Sequence, residues 1–292
     1  ESEDGMVMLF HRRLSIVDLD DGHQPMMDTS GSLTIVFNGE IYNYKKIFKI
    51  LSKGYRFKTK SDTEVILAAY SEWGADCVMH LDGMFAFTIY DSIRKTIFIS
   101  RDRVGEKPLY YQYSEGILSF ASELKALLSG KNTEAIINKE SLDCYLGMGF
   151  VPNDRCIIKG FNKLPAAHSL LFDLKNNELN VWRYWSIPNA SKPLNFDKNL
   201  KKDLANELEV LLESSIKQQM VADVPVGVLL SGGVDSSLIT AIAARNTERL
   251  KTFTVRFPGS GKLDETKHAR LIAKKFNTEH VELDASSVKP DL

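Results

Sequence analysis

Short apolar runs bounded by glycine, aspartate or asparagine dominate the first 120 residues of the chain. Their length and their content of β-branched and aromatic side chains predict strands, several of them linked as hairpins. We therefore expect the first half of the chain to be rich in β-sheet. The predicted strands are residues 7–10, 14–17, 33–37, 84–91, 96–100 and 109–113.

Helical patterns interrupt these strands. The sequence Ser61-Asp62-Thr63-Glu64 has the form of a capping box, in which the first and last residues each bind the other's backbone amide at a helix start. An amphipathic stretch follows and ends at Gly74, which predicts a helix over residues 65–73. Shorter helices are predicted at residues 123–128 and 139–146, and a last strand pair at residues 169–174 and 179–185.

The pattern changes after a polar segment at residues 186–199, which contains Pro, Asn and Ser and predicts a domain boundary. We therefore expect two domains, residues 1–190 and 191–292. Apolar positions at helical spacing predict an amphipathic helix over residues 200–220. Alternating strands and helices then predict an α/β domain with a doubly wound parallel sheet, from residues 226–230, 236–245, 251–257, 265–276 and 279–283.

Net charge and composition argue against nucleic acid and membranes as binding partners. The 37 basic and 38 acidic side chains nearly cancel, so no strong field favours nucleic acid or an anionic membrane. The apolar runs are far shorter than the roughly 20 residues of a membrane-spanning helix, and the acidic start has no signal-peptide pattern. We expect a cytoplasmic protein that acts on small molecules. Its three cysteines, Cys77, Cys144 and Cys156, are too few and too widely spaced for a disulfide framework or a zinc site, so buried thiols are expected.

The most specific local signal is Ser231-Gly232-Gly233-Val234-Asp235-Ser236-Ser237, between a predicted strand and a predicted helix. Two glycines let the backbone approach a ligand, and successive N–H groups at a helix N-terminus attract phosphate. No lysine follows, so serine hydroxyls replace the lysine of the G-x-x-x-x-G-K-[ST] loop. The alternative is a plain glycine-rich turn with serine helix caps.

This loop resembles that of the ATP pyrophosphatase family, whose members cleave ATP between the α and β phosphates. The resemblance implies adenylation of an acid substrate, with Asp235 as a magnesium ligand. The ATP site predicted on this basis consists of Leu230, Ser231, Gly232, Gly233, Asp235, Ser236, Ser237 and Val255.

The first half resembles class II glutamine amidotransferases, specifically those fused to asparagine synthetases. The resemblance implies a four-layer αββα glutaminase domain of the N-terminal-nucleophile hydrolase type, joined to the α/β synthetase domain. The matching segments cover nearly the whole chain: residues 11–18, 22–26, 36–43, 61–64, 82–87, 101–103, 105–111 and 223–225.

The family's glutamine-binding roles fall on five residues of this sequence. Arg13 would bind the α-carboxylate of glutamine, since a guanidinium fork suits a carboxylate. Asn38 and the N–H of Gly39 would form an oxyanion hole, and Glu40 and Asp62 would hold the α-amino group. In isolation, Arg13 could be a surface charge at a strand edge, Asn38-Gly39 a hairpin turn and Asp62 a helix N-terminal charge.

Some features depart from the family pattern. Class II glutaminases use an N-terminal cysteine nucleophile, whereas this sequence starts at Glu1 and none of its cysteines matches that position. We therefore expect the sequence to be incomplete at both ends, and the 292 residues alone to be inactive. Relatives usually carry a glycine within residues 164–168, where this chain has Leu-Pro-Ala-Ala-His, so the local turn is in doubt.

For the intact protein, the resemblance implies a glutamine-dependent asparagine synthetase with glutamine, aspartate and ATP as substrates. Magnesium is implied as the cofactor of ATP, and a homodimer is possible. Two alternatives stay open from the sequence. The same architecture could amidate another carboxylate, such as a sugar acid or a natural-product precursor, or the protein could be a non-catalytic remnant that binds glutamine or nucleotide.

Overall fold

The computed structural model describes residues 1–2, 5–14, 16–129, 135–152, 155–189, 198–257 and 264–285. By their internal contacts, the residues divide into two compact units, Glu1–Asn189 and Ala190–Leu292. The predicted boundary segment, residues 186–199, lies largely outside the described residues.

A six-stranded sheet forms the centre of the first unit, in the strand order β1-β2-β3-β4-β8-β9. Neighbouring strands in this sheet are antiparallel. Its middle strand β3 is buried over most of its length, which explains why it appears in the sequence as a continuous apolar run and not as an alternation. The strands are β1 (Met26–Met27), β2 (Leu33–Ile41), β3 (Gly83–Asp91), β4 (Thr96–Arg101), β8 (His168–Asp173) and β9 (Glu178–Arg183).

A second, three-stranded antiparallel sheet has the order β6-β5-β7. Its strands are β5 (Tyr110–Ser114), β6 (Ile117–Ala121) and β7 (Asn162–Lys163). The helices of this unit are α1 (Tyr44–Leu51), α2 (Asp62–Trp73), α3 (Leu124–Leu128) and α4 (Lys139–Met148), and a 3-10 helix spans Gly74–Met79.

Four layers pack in the first unit. On one face of the six-stranded sheet, Tyr70 of α2 stacks on Phe98 of β4 with 5.3 Å between ring centroids. On the other face, Ile97 and Ile99 of β4 share a buried cluster with side chains of the three-stranded sheet. Leu124 of α3 then packs against the outer side of that second sheet. The layer order is helix, sheet, sheet, helix, which confirms the predicted αββα architecture.

Two predicted strands of the first unit are wrong. Residues 7–10 form no strand, and neither do the described parts of residues 14–17. Both segments carry strand-forming side chains, but Phe10 and Leu14 are exposed and no neighbouring strand among the described residues pairs with them. Five elements of this unit were not predicted: helix α1, which begins without a side-chain cap, strand β6, the two-residue strands β1 and β7, and the 3-10 helix.

The second unit contains a parallel sheet in the order β10-β11-β12. Helix α6 connects β10 to β11 and α7 connects β11 to β12, so the predicted parallel sheet is confirmed. Because the three strands lie in the sheet in chain order, each crossover of the described part leads to the next strand on the same side. The elements are α5 (Lys198–Gln219), β10 (Gly227–Leu229), α6 (Val234–Ala244), β11 (Lys251–Arg256), α7 (Thr266–Lys275) and β12 (Glu279–Asp284). Within the described residues, no helix is both long and apolar enough to cross a bilayer.

Candidate functional site

One edge of strand β2 carries a row of backbone amides that are bound by side chains. The N–H of Phe37 donates to Gln24 Oε1 at 2.6 Å, and the N–H of Ile41 donates to Asp62 Oδ2 at 3.0 Å. Alternate N–H groups of a strand point to the same edge. The N–H of Gly39 therefore lies on this edge, between two amides that already have side-chain acceptors.

The residue that faces Gly39 on β3 is Phe85, and it does not bind this amide. The N–H of Phe85 donates to Asp102 Oδ2 at 3.2 Å, and its carbonyl accepts from the N–H of Asp102 at 2.8 Å. Both backbone groups of Phe85 thus point away from β2. The Gly39 N–H is consequently left as a donor directed out of the sheet.

Only glycine fits at position 39. Its φ is +153°, and a Cβ atom would lie 2.1 Å from the carbonyl oxygen of Met84 and 2.8 Å from the Cα of Phe85. These contacts are with backbone, which cannot move without separating β2 from β3. The close approach of the two strands therefore accounts for a glycine here.

Asn38 precedes this glycine, within the nine-residue strand β2. Its side-chain Nδ2 donates to Ser122 Oγ at 3.3 Å. The alternative of an Asn-Gly hairpin turn is wrong, because both residues pair with β3 in the middle of a regular ladder. An amide side chain and a backbone N–H thus belong to adjacent residues of one strand, and a two-donor oxyanion hole needs two such donors.

Two carboxylates lie at the end of the same strand. Glu40 and Asp62 are 8% and 5% exposed. Burial, with a contribution from the charge of Asp62, raises the pKa of Glu40 to about 7. Burial likewise raises the pKa of Asp62 to about 6, although hydrogen bonds from backbone amides oppose this effect. Ionising both neighbouring acids costs free energy, and a bound cation would lower this cost by stabilising the two carboxylates.

Helix α2 places Asp62 at this site. Ser61 is its N-cap and accepts from the N–H of Thr63 at 3.2 Å. Both halves of the predicted capping box are wrong, because Ser61 accepts from Thr63 and not from Glu64, and Glu64 accepts from the N–H groups of Lys58 and Thr59. Glu64 thereby fixes the loop before the helix. Asp62 lies in the first helical turn, but its carboxylate reaches across to β2.

Arg13 lies near these carboxylates, since its positive charge opposes the rise in the pKa of Asp62. Its Nη2 donates to the carbonyls of Val17 and Asp18, the latter at 2.8 Å. Its Nη1 is buried and has no hydrogen-bond partner. The guanidinium therefore has a free, desolvated donor, which a strand-edge surface arginine would not have.

The structure thus places all five residues of the predicted glutamine site around β2 and the start of α2. It adds Gln24, Ser122 and Asp102, which bind the backbone or side chains of that site. Gln24 and Asp102 fall within the segments that carry the family resemblance. Ser122 falls outside them, and no sequence signal identified it.

The serine- and glycine-rich loop of the second unit connects β10 to α6. Gly232 has φ +84°, and a Cβ there would lie 2.6 Å from His268 Cβ and 2.7 Å from the N of Ala269. The loop backbone therefore lies directly against α7. Ser231 Oγ and Ser236 Oγ are 2.9 Å apart and tie the two ends of the loop together.

No serine is the N-cap of helix α6. Gly233 is the N-cap, and its own N–H donates to Ser231 Oγ at 3.4 Å. The serine N-cap of the alternative is therefore wrong. Ser237 Oγ is buried without a hydrogen-bond partner. Uncapped first-turn amides and an unpaired hydroxyl fit an anion such as phosphate.

The other predicted ATP residues line the same end of the sheet. Leu230 is buried, and its N–H donates to the carbonyl of Phe253 at 2.8 Å. Thr254 Oγ1 donates to the carbonyl of Leu230. Val255 lies two residues beyond the last β10–β11 pair and is partly exposed. Ligands of parallel α/β sheets bind outside these carboxyl ends.

Asp235 is exposed in the first turn of α6. In the part of the chain that the structure describes, no group of three or more His, Cys, Asp or Glu could hold a metal ion. Magnesium commonly uses only one or two carboxylates and completes its shell with phosphate oxygens and waters. The exposed carboxylate of Asp235 is a single ligand of the kind that a magnesium ion arriving with ATP would need.

Comparison with known proteins identifies the family. Residues 2–185 match the glutamine amidotransferase domain family, and residues 207–288 match the asparagine synthase family. The chain belongs to the family of glutamine amidotransferases fused to an asparagine synthase domain. The first match contains Arg13, Asn38, Gly39, Glu40 and Asp62, and the second contains the loop of Ser231 to Ser237.

Curated relatives carry both activities in their names. Asparagine synthetase [glutamine-hydrolyzing] 3 of Bacillus subtilis is 38% identical over 88% of this chain and 42% of its own length. Asparagine synthetase B of Escherichia coli is 38% identical over 94% of this chain and 46% of its own length. A Methanocaldococcus jannaschii protein, provisionally named asparagine synthetase [glutamine-hydrolyzing] 2, is 39% identical over 93% of this chain and 55% of its own length. The chain spans about half the length of these relatives.

A solved structure of glutamine phosphoribosylpyrophosphate amidotransferase from B. subtilis is also similar. It is 17% identical, with a TM-score of 0.39, over 82% of this chain and 50% of that chain. The family assignment rests on the domain matches and not on this weaker similarity.

Proposed function

We propose that the protein containing this chain is a glutamine-dependent asparagine synthetase. The observation that carries the proposal is the presence, in one chain, of a two-donor site beside buried carboxylates and of an uncapped serine-glycine loop. The first suits an amide donor that is also an amino acid, and the second suits a nucleotide. The domains are assigned to residues 1–190 and 191–292, as glutaminase and ATP-binding synthetase segments.

In the first unit, each charged end of glutamine has a complementary group. The α-ammonium would bind between Glu40 and Asp62 and restore the charge balance of these buried acids. The α-carboxylate would accept from the unpaired Nη1 of Arg13. Asn38 Nδ2 and the N–H of Gly39 would donate to the side-chain amide oxygen as negative charge develops on it.

The thiol nucleophile that the family resemblance implies is not assigned to any cysteine of this chain. Cys77 and Cys156 are buried as expected, whereas Cys144 is half-buried, so the expectation of three buried thiols is wrong for Cys144. Burial raises the pKa of the Cys77 thiol far above its ordinary value, so it would not supply a thiolate.

In the second unit, the amides at the start of α6 and the hydroxyls of Ser231, Ser236 and Ser237 would hold the phosphates of ATP. Leu230 and Val255 would contact the rest of the nucleotide. The side-chain carboxylate of aspartate would displace pyrophosphate from the α-phosphate, and ammonia would then displace AMP to give asparagine. Magnesium, when bound through Asp235 and the phosphates, would neutralise charge on the nucleotide.

The near balance of acidic and basic side chains supports small-molecule substrates over nucleic acid or membrane partners. A cytoplasmic location and a homodimer complete the proposal, both by resemblance to the family. Size-exclusion chromatography with light scattering, at the natural full length, would test the homodimer directly.

The activity test uses the protein at its full natural length with glutamine, ATP, magnesium and aspartate labelled with ¹⁸O in the side-chain carboxylate. We expect equal amounts of asparagine and AMP, with one ¹⁸O atom transferred to the phosphate of AMP. ADP in place of AMP, or AMP without the label, would contradict the adenylation route. Turnover with a different carboxylate, and none with aspartate, would favour the alternative acceptors.

A further inference from the structure

Asn38 is held by a residue from a distant part of the chain. Its Nδ2 donates to the hydroxyl of Ser122 at 3.3 Å, although 84 positions separate the two residues. Asn38 lies on β2 of the six-stranded sheet, and Ser122 lies between β6 of the three-stranded sheet and α3. This hydrogen bond therefore connects the candidate oxyanion hole to the second sheet.

The contact limits how the Asn38 amide can turn. A primary amide has two N–H groups in one plane. Once one N–H is directed at Ser122 Oγ, the plane of the group is set, and the direction of the second N–H is set with it. Oxyanion donors act through such preorganisation, because they need no reorientation when charge develops.

We propose that Ser122 is a positioning residue of the glutaminase site, which holds the Asn38 amide so that its second N–H and the N–H of Gly39 converge on one oxygen. The inference rests on the proposed function, because it assigns a role within the same reaction. Ser122 does not touch glutamine in this account, so it affects the rate of hydrolysis and not the recognition of the amino-acid end.

The chain supplies a matched control. Ser119 lies on β6, three positions before Ser122, and is half-buried in the same way. Among the described residues, it makes no side-chain hydrogen bond. A Ser119→Ala variant therefore removes a hydroxyl of similar exposure from the neighbouring strand without affecting Asn38.

The experiment measures glutamate release by the protein at its full natural length, and ammonia-dependent product formation as a check on the fold. We expect Ser122→Ala to lower kcat for glutamine about tenfold, less than removal of a whole oxyanion donor does. The KM for glutamine should stay within about twofold. Ser122→Thr, which keeps the hydroxyl, should recover most of the rate, and Ser119→Ala should behave as wild type.

A double-mutant cycle with Asn38→Ala separates positioning from a general structural effect. In that background, Ser122→Ala should cause no further loss, since there is no amide left to orient. An equal additional loss would overturn the proposal, as would a rise in KM with unchanged kcat, or a Ser122→Ala variant with the wild-type rate.

Different results would refute the oxyanion-hole assignment and the positioning role of Ser122. If Asn38→Ala hydrolyses glutamine normally, the oxyanion-hole assignment fails, and the role of Ser122 fails with it. If Asn38→Ala loses activity while Ser122→Ala keeps it, only the positioning role of Ser122 is overturned.

Discussion

At the scale of single residues, backbone conformation shows where the sequence is constrained. Ala167 has φ +59°, in the segment where relatives usually carry a glycine. The turn forms nevertheless, because its N–H donates to the carbonyl of Asp102 at 2.8 Å and its carbonyl accepts from the N–H of Tyr184 at 2.9 Å. A left-handed alanine costs about 1–2 kcal/mol, which these tertiary hydrogen bonds offset. The turn is therefore formed without a glycine at this position.

In the protein at its full natural length, Gly39→Ala should strongly reduce glutamine hydrolysis. The new Cβ would lie 2.1 Å from the carbonyl oxygen of Met84, so β2 and β3 would have to separate at the oxyanion hole. Because each donor of such a hole contributes about 100-fold or more to the rate, we expect at least that loss in kcat. Steady-state kinetics would measure it. Gly54→Ala is the control, since no atom lies within 4 Å of the place its new methyl group would take, and normal hydrolysis by Gly39→Ala would refute the assignment.

Asp62→Asn should change the pH dependence of stability. The folded protein raises the pKa of Asp62 from 3.8 to about 6, so it binds more protons than the unfolded chain between these values. The contribution of Asp62 to the free energy of unfolding of the wild type therefore falls by about 3 kcal/mol as the pH rises through that window. Asparagine does not titrate. Between about pH 4 and pH 8, the free energy of unfolding of the variant should therefore rise by that amount relative to wild type. Urea unfolding at both pH values would show it, and a constant difference would contradict the raised pKa.

At the scale of elements, the hydrophobic pattern predicted most strands and helices, but it did not predict where the strand that carries the candidate site ends. The pattern predicted residues 33–37 as a strand, whereas β2 continues to Ile41 through Asn38 and Gly39. Local propensity cannot extend a strand through Asn-Gly. The ladder with β3 does so, because its tertiary pairing outweighs the turn preference. The roles proposed for Asn38 and Gly39 come from family resemblance, and their positions within β2 come from the structure.

The two glycines of the serine- and glycine-rich loop between β10 and α6 should respond differently to alanine. Gly232→Ala combines a positive φ with a methyl 2.6 Å from His268 Cβ, so α7 would be displaced from the loop. Gly233→Ala has an ordinary φ of −68° and its nearest neighbour is 3.4 Å away, at Ser231 Oγ. We expect Gly232→Ala to lower both the free energy of unfolding and the affinity for ATP, and Gly233→Ala to keep wild-type stability. Thermal unfolding and nucleotide titration would measure the two effects, and equal destabilisation by both variants would contradict the packing described here.

At the scale of the whole molecule, the change in pattern near residue 200 predicted two architectures, and the antiparallel and parallel sheets confirm them. Contacts between distant residues could not be predicted. Ser122 meets Asn38 only because the two sheets of the first unit stack, and nothing in either local sequence encodes that meeting. Likewise, the reach of Glu64 back to residues 58–59 depends on the path of the preceding loop.

The division into two sites predicts separable half-reactions. Glu40→Gln keeps the size of a buried side chain but removes the charge that would hold the ammonium of glutamine. We expect the KM for glutamine to rise at least tenfold, because a lost charge-assisted hydrogen bond is worth about 1.5–3 kcal/mol. Product formation from free ammonia should be unchanged, and both rates are measured on the protein at its full natural length. Glu123→Gln, which alters only an exposed ion pair with Lys125, is the control, and an equal loss with both nitrogen sources would argue against separate sites.

The central proposal is that the protein containing this chain takes nitrogen from glutamine and uses ATP to place it on aspartate. The most direct test incubates the protein, at its full natural length, with amide-¹⁵N glutamine, aspartate, ATP and magnesium, and follows products by mass spectrometry. The account predicts asparagine labelled in its side-chain amide, formed in equal amount to glutamate and AMP. Glutamate and AMP without labelled asparagine would contradict it.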